Sequence, residues 1–217
     1  ILFAACSDEI NPQYDFTASG CDVTLTVKTE IPQLEVKSRC NLGSEQLNTV
    51  QSLWVRTYSA VTKEATSEWV PFSPGINNND TAYPISIAAK SGLSYIVAVA
   101  NVENPGVTSS DPDNERPLSE LLANADTWDQ FLAIAARTPS TNSDVNTAPW
   151  PITMAGCYTT VPVGDPKTHP KLSEWGSDIN FEPVFIPASD DGSVTLEAGA
   201  IHLRRLVSHI KFNIITG

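Results

Sequence analysis

Groups that could perform chemistry are few in this sequence, and they are not arranged as in catalytic sites. The three histidines, His169, His202 and His209, are too dispersed to predict a metal site, and solvated strand-face positions are the favoured interpretation. Three carboxylates alternate within residues 111–115 and could meet a calcium ion, but the glycine and distal glutamate of a calcium loop are missing, so we favour an acidic loop. No nucleophile–base, phosphate-loop or zinc motif occurs. We therefore predict no catalytic residues, no metal, no cofactor and no enzymatic activity.

Cys6 is the residue best placed for a covalent modification. It follows an apolar segment that ends in two small residues, Ala4 and Ala5. This pattern resembles the lipobox of bacterial lipoproteins, in which a diacylglyceryl group is attached to the cysteine and the chain is cut before it. We therefore predict that residues 1–5 are the remnant of a signal peptide and that Cys6 is a lipidation site.

The segment behind Cys6 has the properties of a tether. Ser7, Asp8 and Glu9 resemble the acidic signal that carries lipoproteins to the cell surface, and a solvated acidic tether is the alternative interpretation. Residues 11–20 are polar and show no period, so we predict a flexible, lipidated tether over residues 6–20. This amino terminus implies an outer-membrane lipoprotein at the cell surface.

Three further cysteines, Cys21, Cys40 and Cys157, are not spaced as zinc ligands or redox pairs. Because an odd number remains if Cys6 carries lipid, at least one thiol must stay free or pair with another chain. We favour buried, unreactive thiols, and the pairing among the three stays open.

Composition favours one extracellular β domain. The chain has 217 residues, of which 41% are hydrophobic, enough to bury one good core or at most two small ones. Its formal net charge of -12 repels phosphate backbones, so we expect no nucleic-acid partner. No apolar run approaches the length of a membrane-spanning helix. We predict one main domain over residues 21–217.

Most of this domain is predicted to be strands. Apolar and polar residues alternate from Asp22 to Lys28, which predicts a half-buried strand. Residues 93–101 are almost continuously apolar, as expected for a central strand covered on both faces. The alternation changes phase in residues 201–215, so we predict a β-bulge near Arg204–Arg205. Further strands are predicted at 50–59, 68–72, 83–88, 150–158, 181–186 and 194–198, with turns at 77–80, 91–92 and 190–192.

One helical segment interrupts the strands. Apolar residues keep helical spacing in residues 118–125 and again in residues 128–135. Thr127 and Gln130 form a capping-box pattern at the start of the second stretch. Two short helices packed over one side of the strands are the arrangement that this pattern predicts.

Several segments, in order along nearly the whole chain, resemble the fimbrillins, the pilin subunits of type V pili. After Cys6 they are the first strand with its basic-polar tail Lys37-Ser38-Arg39, LWVRTY at 53–58, YIVAVAN at 95–101, ITMAG at 152–156 and LRRLVSHIKF at 203–212. Each segment is a short β pattern, and their order and spacing together carry the resemblance.

The resemblance implies a mainly β fold, namely a transthyretin-like antiparallel β-sandwich of about seven or more strands with one short helical segment. It implies that this is the amino-terminal domain of two. It also implies that an arginine-specific protease cuts after Arg39, which removes the first strand, and that a strand of the next fimbrial subunit fills the groove. The strand that leaves is built on Val23, Leu25, Val27, Leu34 and Val36. The implied partners are other fimbrial subunits, through strand exchange, and the outer membrane, through lipid on Cys6.

Two other functions remain open. The chain could be a surface lipoprotein that binds a glycan or a host protein through loops 73–82, 103–117 and 138–149, or a fimbrial anchor that keeps its first strand. Arg39 is then an ordinary solvated loop residue. Aromatic residues could line a sugar platform, but core packing is favoured because most of them lie inside strand or helix periodicities. They are Trp54, Tyr58, Trp69, Trp128, Trp150 and Trp175.

Overall fold

The structure is a computed structural model that describes residues 20–30, 50–72, 82–103, 108–109, 116–134, 136–137, 153–160 and 183–205. Within these ranges the chain is mainly β with two short helices, as predicted. The strands are β1 (Asp22–Glu30), β2 (Leu53–Ser59), β3 (Val70–Phe72), β4 (Ala82–Lys90), β5 (Gly92–Ala100), β6 (Thr108–Ser109), β7 (Ala136–Arg137), β8 (Met154–Thr159), β9 (Val184–Ile186), β10 (Ser193–His202) and β11 (Arg204–Arg205). The helices are α1 (Leu118–Ala123) and α2 (Trp128–Leu132).

Nine of these strands form one sheet that nearly closes on itself. Its order is β3-β2-β5-β8-β10-β1-β4, with β11 also paired to β8 and β9 to β5, while β6 and β7 form a separate pair. Every described pairing is antiparallel except that of β1 with β10, which is parallel. The predicted antiparallel arrangement is therefore wrong at this one pairing. Parallel neighbours need a long connection, and most of the domain lies between β1 and β10 in the sequence, so local alternation could not indicate this pairing.

The principal core lies inside the curled sheet. It is built from inward residues of β1, β2, β4, β5, β8, β9 and β10, and the β1–β4 side packs against the β2–β5 side. Strand β5 supplies Ile96 and Ala98 to this core, whereas Val97 and Val99 are buried on its opposite face. The prediction of a central strand covered on both faces is confirmed.

The helices cover the outer face of β2 and β5. Leu118 and Leu122 of α1 and Trp128 of α2 are the residues that bury most completely there. The predicted capping box is present, since the Thr127 hydroxyl accepts from the Gln130 amide at 3.2 Å and the Thr127 amide donates to Gln130 Oε1 at 3.0 Å. No helix in the described ranges is long and apolar enough to cross a bilayer.

The predicted bulge near Arg204–Arg205 is wrong for the part of the strand that the structure describes. Pairing with β8 keeps one register from Ala200, opposite Thr159, to Arg205, opposite Met154. The irregularity lies earlier, where β10 shifts against β1. Gly199 lies in that stretch, and a Cβ there would overlap the backbone oxygen of Thr159, so glycine allows β8 and β10 to approach closely here.

Two of the predicted turns are confirmed. Ser91 alone separates β4 from β5, and Gly92 follows it with a φ of 121°, a conformation that favours glycine. The turn before β10 has Gly192 at a φ of 72°. The turn predicted at residues 77–80 lies outside the described residues. Although only Ser91 separates them in sequence, β4 and β5 are not neighbours in the sheet: β4 lies at one end of the strand order and β5 is third from the other.

Candidate functional site

Both predicted modification sites, Cys6 and Arg39, lie outside the described residues, as do Leu34 and Val36 of the strand expected to leave. The described part of that strand is β1. The candidate site is therefore the space between β4 and β10 that β1 occupies, which we call the strand slot.

The inward face of β1 is buried along its whole length. Val23, Leu25 and Val27 are at most 4% exposed, which confirms their predicted core role, and Thr29 is fully buried at the next inward position. The residues between them point outward and are exposed or half-buried. Burying side chains of this size contributes about 1.5–3 kcal/mol each, so β1 is a large part of the core rather than a strand laid on its surface.

Both edges of β1 are paired. With β4 it forms an unbroken antiparallel ladder from Asp22, opposite Lys90, to Glu30, opposite Ala82. With β10 it forms a parallel ladder whose register breaks between Val27 and Thr29. Among the described strands β4 has no partner other than β1. Loss of β1 would therefore leave β4 without any strand neighbour in the described part of the sheet.

Charged residues hold both ends of β1. At its start, Lys90 Nζ lies 2.6 Å from Asp22 Oδ1. At its end, Glu30 contacts Lys28 at 2.6 Å and His202 Nδ1 at 3.0 Å, and its carbonyl accepts from the Leu203 amide at 2.9 Å. The two lysine–carboxylate ion pairs are at least partly exposed, so each stabilises the strand by at most about 1 kcal/mol.

The contact with Glu30 corrects one prediction. We expected His202 to be a solvated strand-face histidine, but its side chain is only 16% exposed because it lies beside the end of β1. His169 and His209 lie outside the described residues. Within the described ranges, no group of three or more histidine, cysteine or acidic side chains could hold a metal ion.

An apolar cleft of about 340 Å³ opens on the outer side of the strand slot, beside the register break. It is lined by Thr26, Val27, Lys28, Pro84, Thr195, Leu196 and Glu197. The loops expected to bind a glycan or host protein lie mainly outside the described residues. Its walls come from β1 and its two neighbours.

The aromatic residues of the helical side form a packed cluster. Trp128 stacks on Tyr95 with ring centroids 4.2 Å apart, and it lies 5.7 Å from Tyr58. Trp54 and Trp69 are also packed here, 6.4 Å apart, so core packing is confirmed for the predicted aromatics that are described. Trp150 and Trp175 lie outside the described residues. A sugar platform has no support from this cluster.

A buried arginine that the sequence pattern did not single out anchors this cluster. Arg56 of β2 donates to the carbonyls of Ser67 and Ala125, both at 2.9 Å, and to Asp126 Oδ1 at 3.1 Å. Its guanidinium lies 5.4 Å from the centroid of the Tyr58 ring. Burial raises the pKa of Tyr58 to about 12, while the nearby positive charge of Arg56 acts in the opposite direction. One sequence signal could have revealed this buried arginine: a charged residue among the apolar and aromatic residues of β2.

Cys21 and Cys157 are both free thiols, but they differ in environment. Cys157 is half-buried against the aromatic cluster, and burial raises the pKa of its thiol. Cys21 is exposed at the start of β1, which contradicts the expectation that it is buried.

We predict that a maleimide reagent modifies Cys21 more than about tenfold faster than Cys157 in the native protein, because Cys157 is only partly accessible and its raised pKa disfavours the reactive thiolate. Peptide mass spectrometry at timed intervals measures both rates. In denaturant the two rates should converge. If Cys21 still reacted about tenfold faster than Cys157 in denaturant, the native structure would not be the cause of the difference.

Comparison with known proteins gives fold similarity without a sequence match. No protein-family model and no curated protein match the chain. The tip fimbrial protein Mfa3 from Porphyromonas gingivalis, with a C-terminal truncation, is similar in structure at 13% identity and a TM-score of 0.50, with 86% of this chain and 49% of that chain covered. A cell adhesion protein from Parabacteroides distasonis has 12% identity and a TM-score of 0.43, with 85% and 46% covered.

At 13% identity, the likeness to Mfa3 shows the fold alone. The chain spans about half the length of each of these two structures. The likeness to Mfa3 supports the fimbrillin-like fold that the resemblance implied.

Proposed function

We propose that this chain is a structural or adhesive subunit of a cell-surface fimbria that assembles by donor-strand exchange. In this proposal the chain is cut after Arg39, β1 leaves the strand slot, and a strand from another fimbrial subunit takes its place. Residues 21–217 are then the amino-terminal pilin-like domain, with the transthyretin-like sandwich expected for that family.

The observation that carries the proposal is the position of β1. It is the first described strand, its inward face is buried in the core, and the segment that follows it contains Arg39. A cut there would separate β1 from the rest of the domain without breaking any other described strand. The similarity in fold to a fimbrial tip protein agrees with this role.

The slot has the chemistry of a strand acceptor. Without β1, β10 and β4 would each present a row of unpaired backbone groups beside an apolar trough, which is what β-augmentation requires. Because β4 has no other strand partner among those described, the incoming strand must bridge β4 and β10 as β1 does. We therefore expect release of β1 and entry of the donor to be coupled.

The amino terminus supplies the surface location in this proposal. Lipid on Cys6 anchors the chain in the outer membrane, and residues 6–20 act as the tether between lipid and domain. A single acyl chain binds membranes only marginally, so a diacyl anchor of the lipoprotein type is needed for stable attachment.

Digestion of the full-length protein with an arginine-specific protease tests the proposal. We expect cleavage after Arg39 and then ladders of oligomers by size-exclusion chromatography and native gels. Arg56 should resist because it is only 4% exposed. The Arg39→Lys variant is the matched control, since it keeps the charge but removes the cleavage site, and it should stay monomeric.

The other outcomes distinguish the alternatives. If the cut occurs but β1 stays bound and no ladder forms, a fimbrial anchor that keeps its first strand is the better function. If Arg39 is not cut and the protein stays monomeric, polymerisation by this route is excluded, and a binding module at the cell surface becomes the leading candidate.

A further inference from the structure

The buried face of β1 contains one polar side chain. Thr29 has no exposed surface, and its hydroxyl finds no hydrogen-bond partner among the described residues. A buried hydroxyl that has lost its bonds to water and gained none in the protein destabilises the folded state. The other inward residues, Val23, Leu25 and Val27, carry no such penalty.

The ladder between β1 and β10 is also interrupted just before this position, between Val27 and Thr29, while the ladder with β4 stays unbroken. From Thr24 to Val27, each β1 residue pairs with successive β10 residues. Between the pairs Val27–Leu196 and Thr29–Ile201, β1 advances two residues while β10 advances five. The unpaired hydroxyl and the broken ladder therefore coincide at the carboxyl end of β1.

Other threonines show that this is a local misfit. Thr57 in β2 is equally buried, but its hydroxyl lies 2.8 Å from that of Thr66. Thr26, on the outward face of β1, lies 2.9 Å from the Ser86 hydroxyl. Among the described residues, the buried threonine hydroxyl of β2 thus has a hydrogen-bond partner, whereas that of β1 has none.

We propose that Thr29 makes β1 a replaceable occupant of the strand slot, and that the donor strand presents a branched apolar side chain, such as valine, at this position. This inference rests on the proposed strand exchange and names the chemistry of the partner. The donor is an extended segment with four inward apolar residues spaced by two. Valine has the shape of threonine without the hydroxyl, so it fills the same space and removes the penalty.

The first test is the stability of the intact chain, which does not depend on exchange. Thr29→Val is expected to lower the unfolding constant about tenfold and to raise the denaturation midpoint. Thr26→Val should change little, because its hydroxyl is partly exposed. Thr57→Val should destabilise the protein, because it leaves the Thr66 hydroxyl without a partner. If Thr29→Val fails to stabilise, the inference is overturned while the proposed function stands.

The second test measures the slot itself. A site for a sequence-specific protease is introduced between residues 39 and 49, the chain is cut, and fluorescent peptides of residues 22–30 compete with the resident strand. The Thr29→Val peptide should bind about tenfold more tightly than the native peptide. Both peptides keep Glu30, so its contact with His202 is the same in each.

The outcomes of the second test separate the two proposals. Equal binding of the peptides overturns the inference and leaves strand exchange supported. If neither peptide enters the cut chain, the slot does not accept a strand, and both the proposed function and the donor chemistry fail. The uncut chain should bind neither peptide, since its own β1 fills the slot.

Discussion

Replacing Leu25 by aspartate is expected to expel β1 from the sheet and to lower the free energy of unfolding by about 5 kcal/mol or more. Leu25 has no exposed surface and lies opposite Ile87 of β4 and Val194 of β10. Truncation of a buried leucine alone costs about 2–5 kcal/mol, and a carboxylate in the same place adds the cost of an unpaired buried charge.

The effect should be confined at first to the strand slot. Amide hydrogen exchange is expected to accelerate in β1 and β4, because β4 pairs with no other described strand. Strands β2 and β5 should keep their protection if the rest of the domain stays folded. Leu25→Ala gives a graded version of the same change if the aspartate variant does not fold.

Thr24→Asp is the matched control for Leu25→Asp. It places the same charge one residue away on the exposed face of β1, so it should cost less than about 1 kcal/mol. Similar losses from the two variants would show that β1 is not inserted in the core as described. A loss confined to Leu25→Asp, together with new self-association, would also agree with a slot that accepts a strand.

The local features of this fold could be predicted because they depend on short stretches of sequence. The inward positions of β1 follow from the two-residue period of Val23, Leu25 and Val27. The start of α2 follows from the chemistry of Thr127 and Gln130. Each of these depends on neighbours within a few residues, so no knowledge of the tertiary fold was needed.

The features that decide the candidate site depend on distant parts of the chain. The parallel pairing of β1 with β10 joins residues that are far apart in sequence, and the register break between Val27 and Thr29 faces the stretch of β10 in which Gly199 lies close to β8. The two-residue period does place Thr29 inward, so the buried hydroxyl could have been suspected. The lack of a hydrogen-bond partner for this hydroxyl could not be foreseen from the sequence. Lipidation at Cys6 and cleavage at Arg39 stay predictions.

The second large effect is expected at Arg56, which joins β2 to the helical segment. Arg56→Met should lower the free energy of unfolding by about 3 kcal/mol, because each hydrogen bond from a charged donor is worth roughly 1.5–3 kcal/mol and part of that is offset by relief of a buried charge. The carbonyl of Ser67 loses its guanidinium donor, whereas Tyr58 still donates to the carbonyl of Ala125. Denaturant titration measures the loss.

Hydrogen exchange should locate this loss on the opposite side of the domain from the strand slot. Residues 116–134 are expected to lose protection while the β1–β4 ladder keeps it, because Arg56 contacts Ala125 and Asp126 but no residue of β1.

Lys63→Met is the matched control for Arg56→Met. Lys63 also lies over an aromatic ring, 4.7 Å from the centroid of Tyr95, and its replacement should cost less than about 1 kcal/mol. Arg56→Lys keeps the charge but cannot reach three acceptors at once, so it should also be destabilised. Full stability in both Arg56 variants would mean that aromatic packing alone holds the helices, and that the arginine is dispensable.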